Sequence, residues 1–252
     1  MTIRVSVVLS PEETLPETDC WMVIDILRAT TTMSVFFERG GARLYPAPSV
    51  EEGISLRDAL ASEGGSPLLM GERNGLRPSG FDLGNSPLEL LAMDLADRPE
   101  GVMATTNGTR ALLKAAAAGC PVRPVCARNA SAVLEASLAS GERIGIYCAG
   151  RMGRAALDDT ACAGLLVDLL LKRGEAELDD GALMARALWQ NGGEDLPALL
   201  ADSDHGKILL SLGFEGDIRF AGEIDRSSVV SRLGTAGTNP ALFPERGPAA
   251  PR

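Results

Sequence analysis

Along most of the chain, short apolar runs alternate with longer stretches whose apolar residues recur every three or four positions. The runs lie at residues 3–9, 20–26, 43–47, 67–70, 102–105, 122–126 and 143–148; several are rich in Val and Ile, and they read as strands. The stretches at helical spacing lie at 30–39, 50–62, 87–96, 109–118, 130–139 and 160–172. Strands and helices alternating in this way predict an α/β fold, with a largely parallel or mixed sheet flanked by helices on both faces. In such sheets ligands collect beyond the carboxyl ends of the strands, so the loops that enter the helices are where chemistry is to be sought.

The chain has 252 residues, 45% of them hydrophobic, which is enough for a substantial core in one compact domain or two intimately packed lobes. Residues 1–233 form the predicted folded domain, whereas 234–252, rich in Gly, Pro and Ala, predict a mobile tail. No apolar stretch approaches the roughly 18 residues that a spanning helix needs. The first residues alternate like a strand rather than forming a signal peptide, so a cytoplasmic protein with no membrane partner is expected.

Five scattered cysteines (Cys20, Cys120, Cys126, Cys148, Cys162) without a CxxC pair predict free thiols rather than disulfides or a zinc site. A formal net charge of −10 argues against nucleic-acid partners, so any anionic ligand must be held locally.

Four strand-end loops carry more polar chemistry than packing calls for. In the first, Asp25 closes an apolar run and Arg28-Ala29-Thr30-Thr31-Thr32 opens a helix. Thr30 could cap that helix while Asp25 pairs with Arg28; equally, Asp25 could hold a metal while Arg28 and the helix N-terminus bind phosphate oxygens. The second runs through Gly71-Glu72-Arg73-Asn74-Gly75 to Gly80-Phe81-Asp82-Leu83-Gly84-Asn85-Ser86-Pro87. A capping box of Ser86 and Glu89 explains Ser86, but not Glu72, Asp82 and Asn85.

The third, Thr105-Thr106-Asn107-Gly108-Thr109-Arg110, suits either an anion at a helix start or an ordinary capped turn. The fourth runs from Cys148 through Arg151 to Arg154, the C-x5-R spacing of thiolate phosphatases, and leads to Asp158-Asp159. Tyr147 and Ala155 stand where those enzymes carry a histidine and a hydroxyl, so a packed cysteine is the better reading.

Further along, Ser203-Asp204-His205-Gly206-Lys207 holds the single histidine, either a surface residue or a general acid. Neither G-x-x-x-x-G-K-[ST] nor G-x-G-x-x-G occurs, which sets aside ATP and dinucleotide sites. Leu27 replaces the second aspartate of an Asp-x-Asp signature, and no Ser-His-Asp arrangement is visible.

Taken in order, residues 25–32, 71–73, 80–87, 105–110 and Cys162-Ala163-Gly164 resemble the 2-phosphosulfolactate phosphatases, over a span of residues 3–233. The resemblance implies a Mg²⁺-dependent α/β phosphatase that cleaves 2-phospho-3-sulfolactate to 3-sulfolactate and phosphate, a step of coenzyme M biosynthesis. On that reading Asp25, Glu72, Asp82 and Asp159 are candidate metal ligands, and Asp25, Arg28 and His205 are candidate catalytic groups. Thr30, Asn85, Thr106, Asn107, Gly108, Thr109 and Arg110 are the candidates for holding the ester. A homodimer is a candidate assembly. The rival readings are a non-catalytic binder of small anions on the same loops and a phosphatase of a different small ester.

Overall fold

The computed structural model describes residues 2–245. In chain order they form β1 (Ile3–Val8), β2 (Cys20–Ile24), α1 (Ala29–Glu38), β3 (Arg43–Ala47), α2 (Val50–Ser62), β4 (Leu68–Gly71), α3 (Pro87–Leu91), β5 (Glu100–Ala104) and α4 (Gly108–Ala116). Then follow β6 (Val122–Val125), α5 (Ala130–Leu138), β7 (Arg143–Cys148), α6 (Leu157–Leu171), β8 (Ala176–Leu178), α7 (Asp180–Asn191), α8 (Leu196–Asp202), α9 (Asp204–Ser211), α10 (Glu215–Ala221), β9 (Val230–Ala236) and β10 (Asn239–Glu245).

The α/β class holds, but the strands divide between two sheets. One is parallel throughout, in the order β6-β2-β7-β1-β8. The other runs β4-β5-β3-β10-β9, parallel over its first three strands and antiparallel over the last two.

Strand β2 shows how the sequence builds this arrangement. It is buried along its whole length, as a central strand covered on both faces must be. Its side chains alternate: Cys20, Met22 and Ile24 join a core with Val133, Leu166 and Trp189 on the helix side. Trp21 and Val23 join the opposite core, which also takes Leu44, Met70 and Met103 from the second sheet. The two sheets therefore share one apolar layer.

The expected mobile tail is corrected over residues 234–245, which form the end of β9 and all of β10. The chain reverses at Gly237, whose φ of 59° favours glycine, and Ala241 and Leu242 are wholly buried. Glu245 accepts two bonds from Arg123 of β6, 2.7 and 2.9 Å long, so the hairpin also ties the two sheets together. Residues 246–252 lie outside the described residues. The helix expected over 87–96 ends at Leu91. All five cysteines are free. Among the described residues, no helix is long and apolar enough to cross a membrane.

Candidate active site

The loops that follow β2, β4, β5 and β7 meet. Asp25, one residue past β2, has its backbone held by Thr30: the Thr30 hydroxyl donates to the Asp25 carbonyl (3.0 Å) and accepts from the Asp25 N–H (3.3 Å). Thr30, expected among the ester-holding residues, thus closes the turn into α1 with its hydroxyl engaged by the Asp25 backbone. The Asp25 carboxyl lies against the start of α4, where a Cβ on Gly108 would sit 2.7 Å from Asp25 Oδ2. Gly108 therefore earns its place by close approach. Burial pushes the Asp25 carboxyl up to about 7; His205 opposes this, and Glu72 and Asp158 reinforce it.

Glu72 follows β4 and joins that loop to the one after β5. Its Oε1 accepts from the Thr106 N–H (2.8 Å) and hydroxyl (2.7 Å), and its Oε2 from the Gly75 N–H (3.0 Å). Burial acts to raise this carboxyl, but the bonds from Gly75 and Thr106 outweigh it and hold Glu72 below its ordinary value. Gly71 just before it has φ 152°, and a Cβ there would meet the Ala104 carbonyl at 2.0 Å. Only glycine lets the two strand ends come so close.

At the start of α6, neighbouring aspartates take different roles. Asp159 accepts from Ile26 N–H (3.0 Å) and Gly150 N–H (2.9 Å), bracing the ends of β2 and β7. Burial, with Asp158 and Asp25 adding to it, raises its pKa well above the usual carboxylate range. Asp158 instead faces His205, with Oδ2 3.6 Å from Nδ1, wider than a hydrogen bond, and its buried Oδ1 has no partner. Successive helical residues diverge around the axis, so only one of an adjacent pair faces a given side. The sequence reading chose Asp159; the structure puts Asp158 beside the histidine.

Other expected site residues are engaged elsewhere. Arg28 is buried, with Nη1 2.9 Å from Asp217 Oδ2, Nη2 2.6 Å from the Gly75 carbonyl, and its guanidinium over the Phe214 ring. These contacts steady the loop that carries Glu72 and occupy both Nη atoms of Arg28 within the protein. Asp217, which also accepts from the Ser86 hydroxyl (2.7 Å), was missed because residues 180–222 offered no strand-end loop to draw attention.

Asp82 accepts from the Leu69 N–H (2.8 Å) and pairs with Arg98 (3.0 Å), so it braces the flank of β4 and does not join Asp25 and Glu72. Thr109 donates to the Thr105 carbonyl and Arg110 to that of Pro48. Asn85 is buried, with its carbonyl accepting from Thr32 and its side-chain oxygen unpartnered.

Above these groups lie two adjoining clefts. One, of 630 Å³, is walled by Arg151, Arg154, Asp158 and His205 among others. The other, of 200 Å³, is walled by Glu72, Asn74, Thr106, Asn107, Arg151 and His205 among others. Arg151, Met152 and His205 belong to both.

Cys148 lies in the core, where burial, then Asp159, Cys162 and Asp158, raise its thiol well above the usual range, the reverse of what a thiolate nucleophile needs. Arg151 and Arg154 exchange backbone hydrogen bonds of 2.8 and 3.0 Å, so the C-x5-R segment folds on itself as a tight turn. Gly164 of the Cys162-Ala163-Gly164 motif is explained by packing, since a Cβ there would meet the Ala185 carbonyl of α7 at 2.1 Å.

Among the described residues, no group of three or more His, Cys, Asp or Glu side chains forms a ready-made metal cage. Mg²⁺, however, usually takes only one or two carboxylates directly and keeps several waters. The hard oxygens of Asp25 and Asp158, the latter with an orphaned Oδ1, fit that ion in donor chemistry.

The family model described as 2-phosphosulpholactate phosphatase matches residues 6–235. Three relatives are each named "Probable 2-phosphosulfolactate phosphatase". That of Deinococcus radiodurans is 39% identical, covering 92% of this chain and 93% of its own. That of Thermus thermophilus is 40% identical, covering 92% and 94%, and that of Pseudothermotoga lettingae is 35% identical, covering 90% and 94%. With the model matching nearly its whole length and these relatives aligned over at least nine-tenths of each chain, the chain belongs to the 2-phosphosulpholactate phosphatase family.

Proposed function

We propose that the protein hydrolyses 2-phospho-3-sulfolactate to 3-sulfolactate and inorganic phosphate with Mg²⁺ as its metal, in the cytoplasm, as a step towards coenzyme M. One observation carries the reading: Glu72, Asp158 and His205 line adjoining clefts, with Asp25 buried close enough to feel the charge of all three, in a chain of this family. Asp25 and Asp158 would hold the Mg²⁺, which when bound supplies charge neutralisation and an activated water.

The chain's own groups supply the rest. Glu72 fixes Thr106 and so sets the entry to α4, whose first N–H groups and Asn107 can meet ester oxygens. As a water oxygen bonds to phosphorus, the ester P–O bond breaks and the leaving alkoxide takes a proton from His205; the surplus proton of the attacking water leaves the phosphate product for solvent, from which the imidazole is reprotonated. The Nδ1 side of the imidazole faces Asp158 Oδ2, 3.6 Å away. Arg28 and Asp159 position these loops without touching the ester.

The test is phosphate release from 2-phospho-3-sulfolactate by the purified protein, abolished by EDTA and restored by Mg²⁺. Absence of release at every Mg²⁺ concentration would favour the non-catalytic anion binder.

A further inference from the structure

We infer that Arg151 is the residue that grips the phosphoryl group of the ester, an assignment that rests on the phosphatase reading above. Neither of the two arginines to which the sequence first points lines these clefts. Arg28 is buried on Asp217 and the Gly75 carbonyl, and Arg110 donates through Nε to the Pro48 carbonyl at the surface. Arg151 is different. Its side chain is half-buried in the wall common to both clefts, beside His205, and among the described residues its guanidinium has no ion pair or hydrogen bond.

The backbone beneath Arg151 is fixed. Its N–H donates to the Arg154 carbonyl (2.8 Å) across a turn with positive φ at Met152 (52°) and Gly153 (77°), the mirror-image hairpin type. The preceding Gly150 N–H is held by Asp159, whose other oxygen holds the N–H of Ile26, next to Asp25. One carboxylate thus anchors both the arginine's turn and the strand end that presents Asp25, so the two groups keep a constant relation.

Charge supplies the need. An ester carrying two negative charges must approach Asp25, Glu72 and Asp158 in a chain of net charge −10. A guanidinium meets two phosphoryl oxygens at once, and excluding water when the cleft fills strengthens that contact. Arg154, exposed and lining only the larger cleft, lacks this placement.

The experiment compares wild type, Arg151→Ala and Arg151→Lys on two esters, 2-phospho-3-sulfolactate and p-nitrophenyl phosphate, which has no second anionic group. Inorganic phosphate is also titrated calorimetrically. Arg151→Ala should lose about 100-fold or more in kcat/KM on both esters and bind phosphate about 10-fold more weakly or worse, with Tm unchanged; Arg151→Lys should recover part of each. Rates within about threefold of wild type on both esters would overturn the assignment. So would a loss confined to the sulfonated ester, which would move Arg151 to the non-reacting end of the substrate. If wild type hydrolyses neither ester, the catalytic reading fails by itself and the phosphate titration alone judges Arg151. Undiminished affinity in Arg151→Ala, or no phosphate binding by wild type, then overturns it.

Discussion

Arg28 and Asp217 form an ion pair 2.9 Å long in which both side chains are almost wholly buried, between the start of α1 and the middle of α10. Removing one partner of such a pair strands the other charge in a medium that solvates it poorly, at a cost of about 3–5 kcal/mol. Arg28→Ala should therefore lower Tm by about 10 °C or more, the scale expected for a domain of this size. The loss of turnover should follow the fraction unfolded. Calorimetry and activity measured on the same samples check this; a wild-type Tm with abolished activity would return Arg28 to the chemistry.

Asp25 makes stability depend on pH in an unusual direction. Its carboxyl titrates near 7 when folded, against 3.8 for the free side chain, so between those values the folded state holds a proton that the unfolded state has released. In the metal-free protein its contribution should be greatest below about pH 4, fall as pH rises towards 7, and level off above that. Thermal melts from pH 4 to 8 in EDTA should show the decline, Asp25→Asn should flatten it, and Mg²⁺ should raise Tm most at the alkaline end. A wild-type slope unchanged in Asp25→Asn would refute the assignment.

The neighbouring aspartates should separate cleanly. Asp158→Asn should reduce turnover by about 100-fold with little change in Tm, because it alters a group facing the cleft. Asp159→Asn should lower Tm by several degrees, because the amide cannot accept from both Ile26 and Gly150. Paired melts and kinetics decide, and the opposite pattern would exchange their roles.

Cys148→Ser should keep most of its activity, and iodoacetamide should inactivate slowly in the presence of substrate and Mg²⁺, since the thiol is buried and held protonated. A phosphocysteine trapped at this position would contradict the proposed water attack.

A chain ending at Leu233 should be far less stable than the full chain. It loses β10, uncovers the edge of β3 and leaves Arg123 without Glu245. Comparing soluble yield and Tm of the two chains measures this; equal values would show that the hairpin adds nothing.

The strands were legible because parallel strands buried on both faces are written as unbroken apolar runs, as in Cys20–Ile24. The hairpin was not. Gly237, Pro240 and Pro244 have the composition of a tail, although glycine suits the reversal and the prolines fall on a strand that pairs with β3 only at Leu242 and Leu44. For the site, loop chemistry led to Asp25, Glu72 and His205. It did not tell which of Asp158 and Asp159 faces His205, or which of Arg28 and Arg151 is already paired, because those outcomes depend on which way a side chain turns and which partner occupies it. Asp82 misled for the same reason: Arg98 is 16 residues away in sequence but 3.0 Å away in space.

Glu72 is delivered by the mixed sheet, whereas Asp25 and Asp158 are delivered by the parallel one. No part of the chain holding only one sheet contains the carboxylate cluster, so the centre exists only where both sheets are in place. A rise of the Asp25 carboxyl towards 7 during refolding would therefore report the burial of this centre rather than the formation of either sheet alone.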